Sequence, residues 1–288
     1  YTHIHNGRFQ ANHCLAAVQN HLDPSGQIFY HMGCRSRAGT TRYIGAGSCN
    51  KTACSPDKGR RNPVWLVFLV LPLFPAVLGT MNYLGNVSVL TDGWYSLWTQ
   101  HTLFSASLFL PAQFGVFCAW QWRLEHSGSN WNACRSAPIS AGALYGSKFL
   151  LAVFVSALAQ VCIGGLYVLG GRLAGLTGPV PAELVSWLLG GFVGGVTVCS
   201  VQLFLSLILR VFALPVGIGL AGGLGGMLLL VKGYGLYFPY SLLCLGMRAN
   251  NTKLVLPVGQ FLVTCLLGIL VFSFLSIQWI KKRDVTTG

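Results

Sequence analysis

The chain has 288 residues, of which 53% are hydrophobic and only 9% are charged, and its formal net charge is +13. Soluble domains carry roughly a quarter charged residues, so this composition excludes an ordinary water-soluble protein and indicates a membrane protein. The positive charge does not predict nucleic-acid binding, because the basic stretches lack interleaved aromatic residues and any recognition fold. Ten cysteines occur without a CxxC pair, which argues against a zinc site or a disulfide framework.

Residues 1–60 differ from the rest of the chain. They are polar, hold five of the seven histidines and show no sustained periodicity, so we expect a disordered or non-native extension. The stretch 45–52 approaches a phosphate-binding loop, but Asn50 stands where the pattern requires glycine. The scattered histidines and cysteines do not have the spacing of a metal-ligand set. We therefore predict no catalytic residue, no metal site and no cofactor bound by this chain.

Six apolar runs follow, each about as long as the roughly 20 residues that cross a bilayer. They cover 63–84, 101–122, 145–170, 184–209, 212–231 and 254–280. Backbone in lipid must satisfy its own hydrogen bonds, so each run is predicted to be a helix. Pro111 is expected to bend the helix of the second run. The sequence thus predicts an all-α polytopic membrane protein with six transmembrane helices over 61–283 and a short cytoplasmic tail at 284–288.

Lysine and arginine indicate the orientation. They concentrate before the first run, in the loop 123–148 and at the C-terminus, which favours both termini in the cytoplasm. The segment 232–253 argues against this orientation, because it would lie outside and yet carries Lys232, Arg248 and Lys253.

Glycines four residues apart share one face of the fourth and fifth runs. Small residues at this spacing let helices approach closely in lipid, either within the subunit or in a dimer contact. The candidate packing residues are Gly190, Gly194, Gly219 and Gly223.

Amides are the main polar groups inside the runs. Gln113, Gln160 and Gln202 could line a path for a polar substrate or form hydrogen bonds between helices. The four acidic residues after position 60 fall at the ends of runs or in loops. Ion-driven transport usually needs a buried ionisable group, so we expect an external energy source.

The segment 123–148 is the one sizeable polar island among the apolar runs. Its charges, amides and Trp131 suit docking to a soluble partner, although a plain connecting loop with a tryptophan anchored at the headgroups is the alternative. Pro138 ends the segment, Ser140 is expected to cap the next helix, and Lys148 to extend toward the cytoplasmic face. The candidate residues are Arg123, Glu125, Trp131, Asn132, Pro138, Ser140 and Lys148.

At these residues the sequence resembles the permease subunits of ABC-2-type ABC transporters, particularly the lantibiotic-immunity branch. The resemblance covers roughly 60–283 and departs at 1–57, where members usually begin with a basic amphipathic helix. The matching segments are Asn62–Leu66, Gly79–Tyr83, Trp94–His101, Trp122–His126, Asn130–Asn132, Ala137–Ser140, Lys148–Leu150 and Phe238–Leu242.

The resemblance implies a six-helix permease in a bacterial plasma membrane, with ATP and Mg bound by a separate ATPase subunit. The loop 123–148 would contain the coupling helix, in which Glu125, Trp131 and Pro138 transmit ATP-driven movement. A second permease subunit, the lipid bilayer and an amphipathic lantibiotic-type peptide are the other implied partners. The alternatives are a permease for another drug, antibiotic or lipid, and a membrane enzyme or scaffold that transports nothing.

Overall fold

The computed structural model describes residues 17–22, 28–33, 70–126 and 140–282. The chain divides into two compact units, Tyr1–Asn62 and Pro63–Gly288. In the first unit, strands β1 (Ala17–Leu22) and β2 (Ile28–Gly33) pair antiparallel along their whole lengths. The rest of the predicted extension, including the glycine-rich stretch 45–52, lies outside the described residues, as does the predicted tail at 284–288.

The described part of the second unit is all helical. It contains α1 (Leu73–Gly85), α2, α3 (Ala141–Leu173), α4 (Leu184–Ile208), α5 (Ala213–Val231), α6 (Pro239–Gly246) and α7 (Val258–Lys282). Helix α2 is a continuous rod with two α-helical halves, Trp94–Phe104 and Leu110–His126, joined by a π-helical turn at Ser105–Phe109.

Five helices of this unit are long and apolar enough to cross a membrane, by length and composition alone. They are Trp94–Arg123 of α2, together with α3, α4, α5 and α7. The first predicted run, 63–84, lies partly outside the described residues, and its described helix α1 has 13 residues. The structure therefore confirms five of the six predicted spans.

Helix α2 differs from its predicted span, 101–122, by beginning seven residues earlier, at Trp94. Hydropathy misses residues 94–100 because they include polar side chains such as Ser96 and Gln100, which are buried against other helices rather than exposed to lipid. Pro111 has no amide proton and deprives the Ser107 carbonyl of its α-helical donor. The π-helical turn directly before Pro111 is the local change of register that accommodates this loss.

The predicted outer loop 232–253 contains a buried helix, which the sequence did not predict. All residues of α6 from Tyr240 to Gly246 are buried. Pro239 stands at the first turn of α6, where its missing amide proton is not needed. The loop interpretation fails because α6 is apolar and packs between α4 and α5 instead of meeting water.

Helix α4 is the centre of the bundle, since it contacts α2, α3, α6 and α7. Its most apolar stretch is 72% buried, whereas the corresponding stretch of α7 is 11% buried and presents leucine, valine and phenylalanine outward. Helix α2 begins at the Trp94 end of the bundle and finishes at the Glu125 end. The Trp94 end also holds the last turns of α3 and the start of α4, and the Glu125 end holds the start of α3 and the end of α4.

Candidate functional site

A buried ion pair joins α2 to α3 at the Glu125 end. Lys148 Nζ lies 2.7 Å from Glu125 Oε1, and both side chains are only 12% exposed. The same ammonium group donates a hydrogen bond to the carbonyl oxygen of Gln121 at 2.6 Å and stands 4.6 Å from the ring centroid of Trp122. The charge of Lys148 is thus bound from three directions by α2. These partners hold the Lys148 side chain against the last turns of α2, and its predicted extension toward the cytoplasmic face stays a prediction.

Local sequence explains how the pair is positioned. Glu125 lies in the last turn of α2, where a negative charge is unfavourable for the helix dipole and needs a cation nearby. Ser140 caps α3, with its hydroxyl oxygen accepting a hydrogen bond from the amide of Ala143 at 3.1 Å, as predicted. The cap fixes the start of α3 and therefore the height of Lys148 on that helix.

The predicted coupling loop, 123–148, is shorter in the structure, because α2 continues to His126 and α3 begins at Ala141. The ion pair therefore joins two helices, with Glu125 two residues before and Lys148 nine residues after the segment 127–139, which lies outside the described residues. Trp131, Asn132 and Pro138 belong to this segment, so their predicted roles are not tested. Arg123 lies in the last turn of α2, and its side chain is exposed.

Several buried polar atoms around the ion pair have no hydrogen-bond partner among the described residues. They are Oε2 of Glu125, both side-chain amide atoms of Gln121 and Oγ of Ser206. Buried polar groups are nearly always paired, so such a concentration is unusual. His126 Nε2 does have a partner, because it donates to the carbonyl oxygen of Ser206 on α4 at 2.9 Å. The Glu125 end therefore combines a strong ion pair with polar groups able to change partners.

The three candidate glutamines are buried, but two of them bind opposite ends of α6. Gln202 donates to the hydroxyl of Tyr240 at 3.0 Å, and Gln160 donates to Sδ of Met247 at 3.9 Å. The side-chain oxygens of Gln160 and Gln202 have no partner among the described residues. Gln113 is 2% exposed on α2. These contacts are of the interhelical kind, and a substrate path through the amides stays a prediction.

The four candidate glycines lie where helices approach each other most closely. A Cβ on Gly190 would overlap the carbonyl oxygen of Gly246, and one on Gly194 would stand 2.6 Å from the carbonyl oxygen of Leu242. These two glycines form the contact between α4 and α6. Gly219 and Gly223 of α5 face the backbone of α2 beside the π-helical turn. All four contacts are within the subunit.

Sequence reasoning did not find the aromatic cluster at the Trp94 end. Trp98 stacks on Trp187 at 5.2 Å and meets Tyr167 edge-on at 5.0 Å between ring centroids. Trp98 Nε1 also donates to the carbonyl oxygen of Met247 at 2.9 Å. The Tyr167 hydroxyl donates to the carbonyl oxygen of Trp94 at 2.7 Å. This cluster joins α2, α3, α4 and the residue after α6. The spacing of four between Trp94 and Trp98, which puts both on one helix face, was the available signal.

His101 is a second missed residue. Its side chain is 2% exposed, and Nε2 lies 2.9 Å from Oγ1 of Thr80 on α1. Sequence reasoning found no buried ionisable group, because it placed His101 at the first residue of a span rather than within one. The structure places it two turns inside α2.

A pocket of about 710 Å³ opens at the Trp94 end, between the first residues of α2 and the connection from α3 to α4. Asp92 and Glu183 both line it, together with Trp94 and Tyr95. The Tyr95 hydroxyl donates to Glu183 at 3.1 Å, and Lys253 forms a long, exposed ion pair of 3.8 Å with Asp92. Two of the four acidic residues found after position 60 thus share one pocket.

Five long apolar helices, of which α4 is the most buried, define the class of protein: a multi-pass α-helical membrane protein. Among the described residues there is no group of three or more potential metal ligands. The model of the ABC-2 family transporter protein matches residues 57–226, which is more than half of the chain. The chain belongs to the ABC-2 transporter family, whose members are permeases that work with an ABC ATPase subunit. No curated protein and no solved structure matches the chain.

Proposed function

We propose that the chain is the six-span permease subunit of an ABC exporter, with both termini in the cytoplasm of a bacterial cell. Five spans are supported by α2, α3, α4, α5 and α7. The sixth would be α1 extended through the apolar residues from position 63. Orientation is supported by the basic residues before position 63, in 123–148 and at the end of α7. The Glu125 end is then cytoplasmic and the Trp94 end is external.

The Glu125–Lys148 ion pair is the observation that carries the coupling proposal. A separate ATPase that moves the 127–139 segment pulls on the end of α2 and the start of α3 together. The ion pair joins these two helices beside buried polar atoms that can change partners. ATP binding would thereby shift the bundle between two packings. ATP and Mg belong to the ATPase, and this chain performs no catalysis. A second permease subunit, as a homo- or heterodimer, completes the proposed exporter.

Co-purification tests the proposed assembly. The tagged chain is solubilised from its native membrane, and the expected result is an ABC ATPase bound to the native sequence. The Glu125→Ala/Trp131→Ala double variant is expected to lose the ATPase or to hydrolyse ATP without transport. Lys232→Ala, an exposed charge at the opposite end of the bundle, is the control and keeps the complex. Absence of an ATPase from every preparation would reduce 123–148 to a connector and support the scaffold or enzyme alternative.

For the cargo, we propose amphipathic cationic peptides of the lantibiotic type, taken from the bilayer and released outside. Support comes from the pocket at the Trp94 end, where Asp92 and Glu183 stand beside Trp94 and Tyr95. Carboxylates attract ammonium groups, and the exposed ring of Tyr95 can bind a cation or an apolar side chain, whereas the face of Trp94 already carries Arg172 at 5.3 Å. The exposed Asp92–Lys253 pair is weak and yields readily to an incoming cation.

We expect Asp92→Asn/Glu183→Gln to raise about tenfold the lantibiotic concentration that half-maximally stimulates ATP hydrolysis by the reconstituted complex. Loss of roughly 1.4 kcal/mol of attraction for a cation corresponds to this factor. Lys253→Gln is the matched control, because it removes a charge at the same place without removing a carboxylate. If a neutral drug or a lipid stimulates hydrolysis and the peptide does not, the chain exports that other cargo.

A further inference from the structure

A second pocket, of about 320 Å³, lies at the Glu125 end, between the last turns of α2 and the short connection from α4 to α5. Half of its lining is basic and half is apolar. The lining residues are Ala119, Arg123, His126, Leu209, Arg210 and Phe212. Neither the coupling proposal nor the cargo proposal uses this pocket.

The pocket is electropositive. Among the described residues no acidic side chain lines it, and the carboxylate of the neighbouring Glu125 is bound by Lys148 at 2.7 Å. Within the described part of the chain, the guanidinium group of Arg210 makes no hydrogen bond or ion pair, and its side chain is exposed. The hydrogen bond from His126 to the Ser206 carbonyl fixes the third basic side chain between α2, which carries Arg123, and the end of α4, which leads to Arg210. An anion is therefore the ligand that the lining favours.

The surroundings of the pocket point to an amphiphilic anion. The apolar residues beside Arg210 are exposed, with Val211 at 58%, Phe212 at 41% and Leu214 at 49%. They continue along α5 from the pocket, so a ligand whose charged head enters the pocket can lay an apolar chain on this surface. The pocket also lies at the ends of membrane-spanning helices, at the height where lipid headgroups are found. Basic pockets between transmembrane helices on the cytoplasmic side are known to hold anionic lipid headgroups.

We propose that this pocket binds the phosphate headgroup of an anionic phospholipid, with the acyl chains lying along the start of α5. The assignment to the inner leaflet rests on the orientation in the proposed function, whereas the binding itself does not. The lipid phosphate accepts hydrogen bonds from Arg123 and Arg210 and so links the end of α2 to the α4–α5 connection. This lipid would stabilise the arrangement around His126, one residue from Glu125.

Native mass spectrometry tests the proposal on the full chain released from mixed vesicles of phosphatidylglycerol and phosphatidylcholine with identical acyl chains. The native protein is expected to retain phosphatidylglycerol selectively. Arg210→Gln is expected to reduce this retention at least fivefold, and Arg210→Lys to restore most of it. Lys232→Gln is the matched control, because it removes one exposed positive charge from the opposite end of α5 and is expected to change nothing. Arg123→Gln, on the other wall of the pocket, is expected to resemble Arg210→Gln.

Thermal unfolding, followed in parallel, identifies the variants that are folded. Unchanged retention of phosphatidylglycerol in a folded Arg210→Gln or Arg123→Gln protein overturns the proposal. So does a complete loss of retention on addition of inorganic phosphate, since that result identifies a site for the free anion. Retention is measured without the ATPase, so a failure here is separate from a failure to co-purify the complex.

Discussion

Gly190→Ala is expected to destabilise the protein by about 2 kcal/mol, which is typical of overpacking in a tight contact. A Cβ at Gly190 overlaps the carbonyl oxygen of Gly246, and because the atoms it meets are backbone, no flexible side chain can move aside. Helices α4 and α6 must separate to admit the methyl group. The loss is measured as a lower midpoint of thermal unfolding in lipid nanodiscs. The reciprocal variant, Gly246→Ala, overlaps the Gly190 carbonyl and is expected to have a similar effect.

Gly225→Ala is the matched control for Gly190→Ala. A Cβ at Gly225 would meet no atom within 4 Å, although Gly225 is helical and lies in the same bundle. Alanine is a better helix former than glycine by roughly 1 kcal/mol, so this variant is expected to be as stable as the native protein or slightly more stable. Equal unfolding midpoints for Gly190→Ala and Gly225→Ala would show that the α4–α6 contact is looser than the structure indicates.

Lys148→Met is expected to reduce ATP-driven transport at least tenfold and to destabilise the protein by about 3 kcal/mol. Methionine keeps the length of the apolar stem but leaves the Glu125 carboxylate in a buried position without its cation. Transport is measured in proteoliposomes that contain the permease and its ATPase. Hydrolysis of ATP by the ATPase is expected to continue, because the active site for hydrolysis is on the other subunit.

A double variant separates the structural role of the ion pair from its role in coupling. Glu125→Gln/Lys148→Met removes both charges, so stability is expected to return toward the native value. Transport is expected to stay low, since the attraction that joins α2 to α3 is absent. Recovery of transport together with stability would contradict the coupling role and leave the pair as a structural contact.

The spans could be predicted from sequence because their signal is local. Helix α4 differs from its predicted span, 184–209, by one residue, and α5 begins at Ala213 against a predicted 212. Hydropathy succeeds there because a long run of apolar residues has no alternative to a helix in lipid. It fails at the first turns of α2 and at α6, where burial against protein replaces contact with lipid. No periodicity within one segment reports such contacts between segments.

In the candidate site, too, local features could be predicted from the sequence and contacts between helices could not. The Ser140 cap depends on neighbouring residues and was predicted correctly. The contact of Lys148 with Glu125 joins residues 23 positions apart on different helices, and only the packing of α2 against α3 determines it. The aromatic cluster around Trp98 depends on four separate segments and was likewise beyond a reading of single motifs.

Helices α2 and α3 are fastened together at both ends by contacts of different kinds. At one end, Trp94, Trp98 and Tyr167 form an interlocked aromatic contact, which resists displacement in every direction. At the other end, Lys148 of α3 contacts α2 through the Glu125 carboxylate, the Gln121 carbonyl and the Trp122 ring. About 40 Å of helix separates Trp98 from Glu125, given a rise of 1.5 Å per residue. A tilt of only about 5° around the aromatic contact therefore moves Glu125 by about 3.5 Å, enough to part it from Lys148. We therefore expect a small rotation of α2 about the aromatic contact to break the Glu125–Lys148 ion pair while the Trp94 end stays packed.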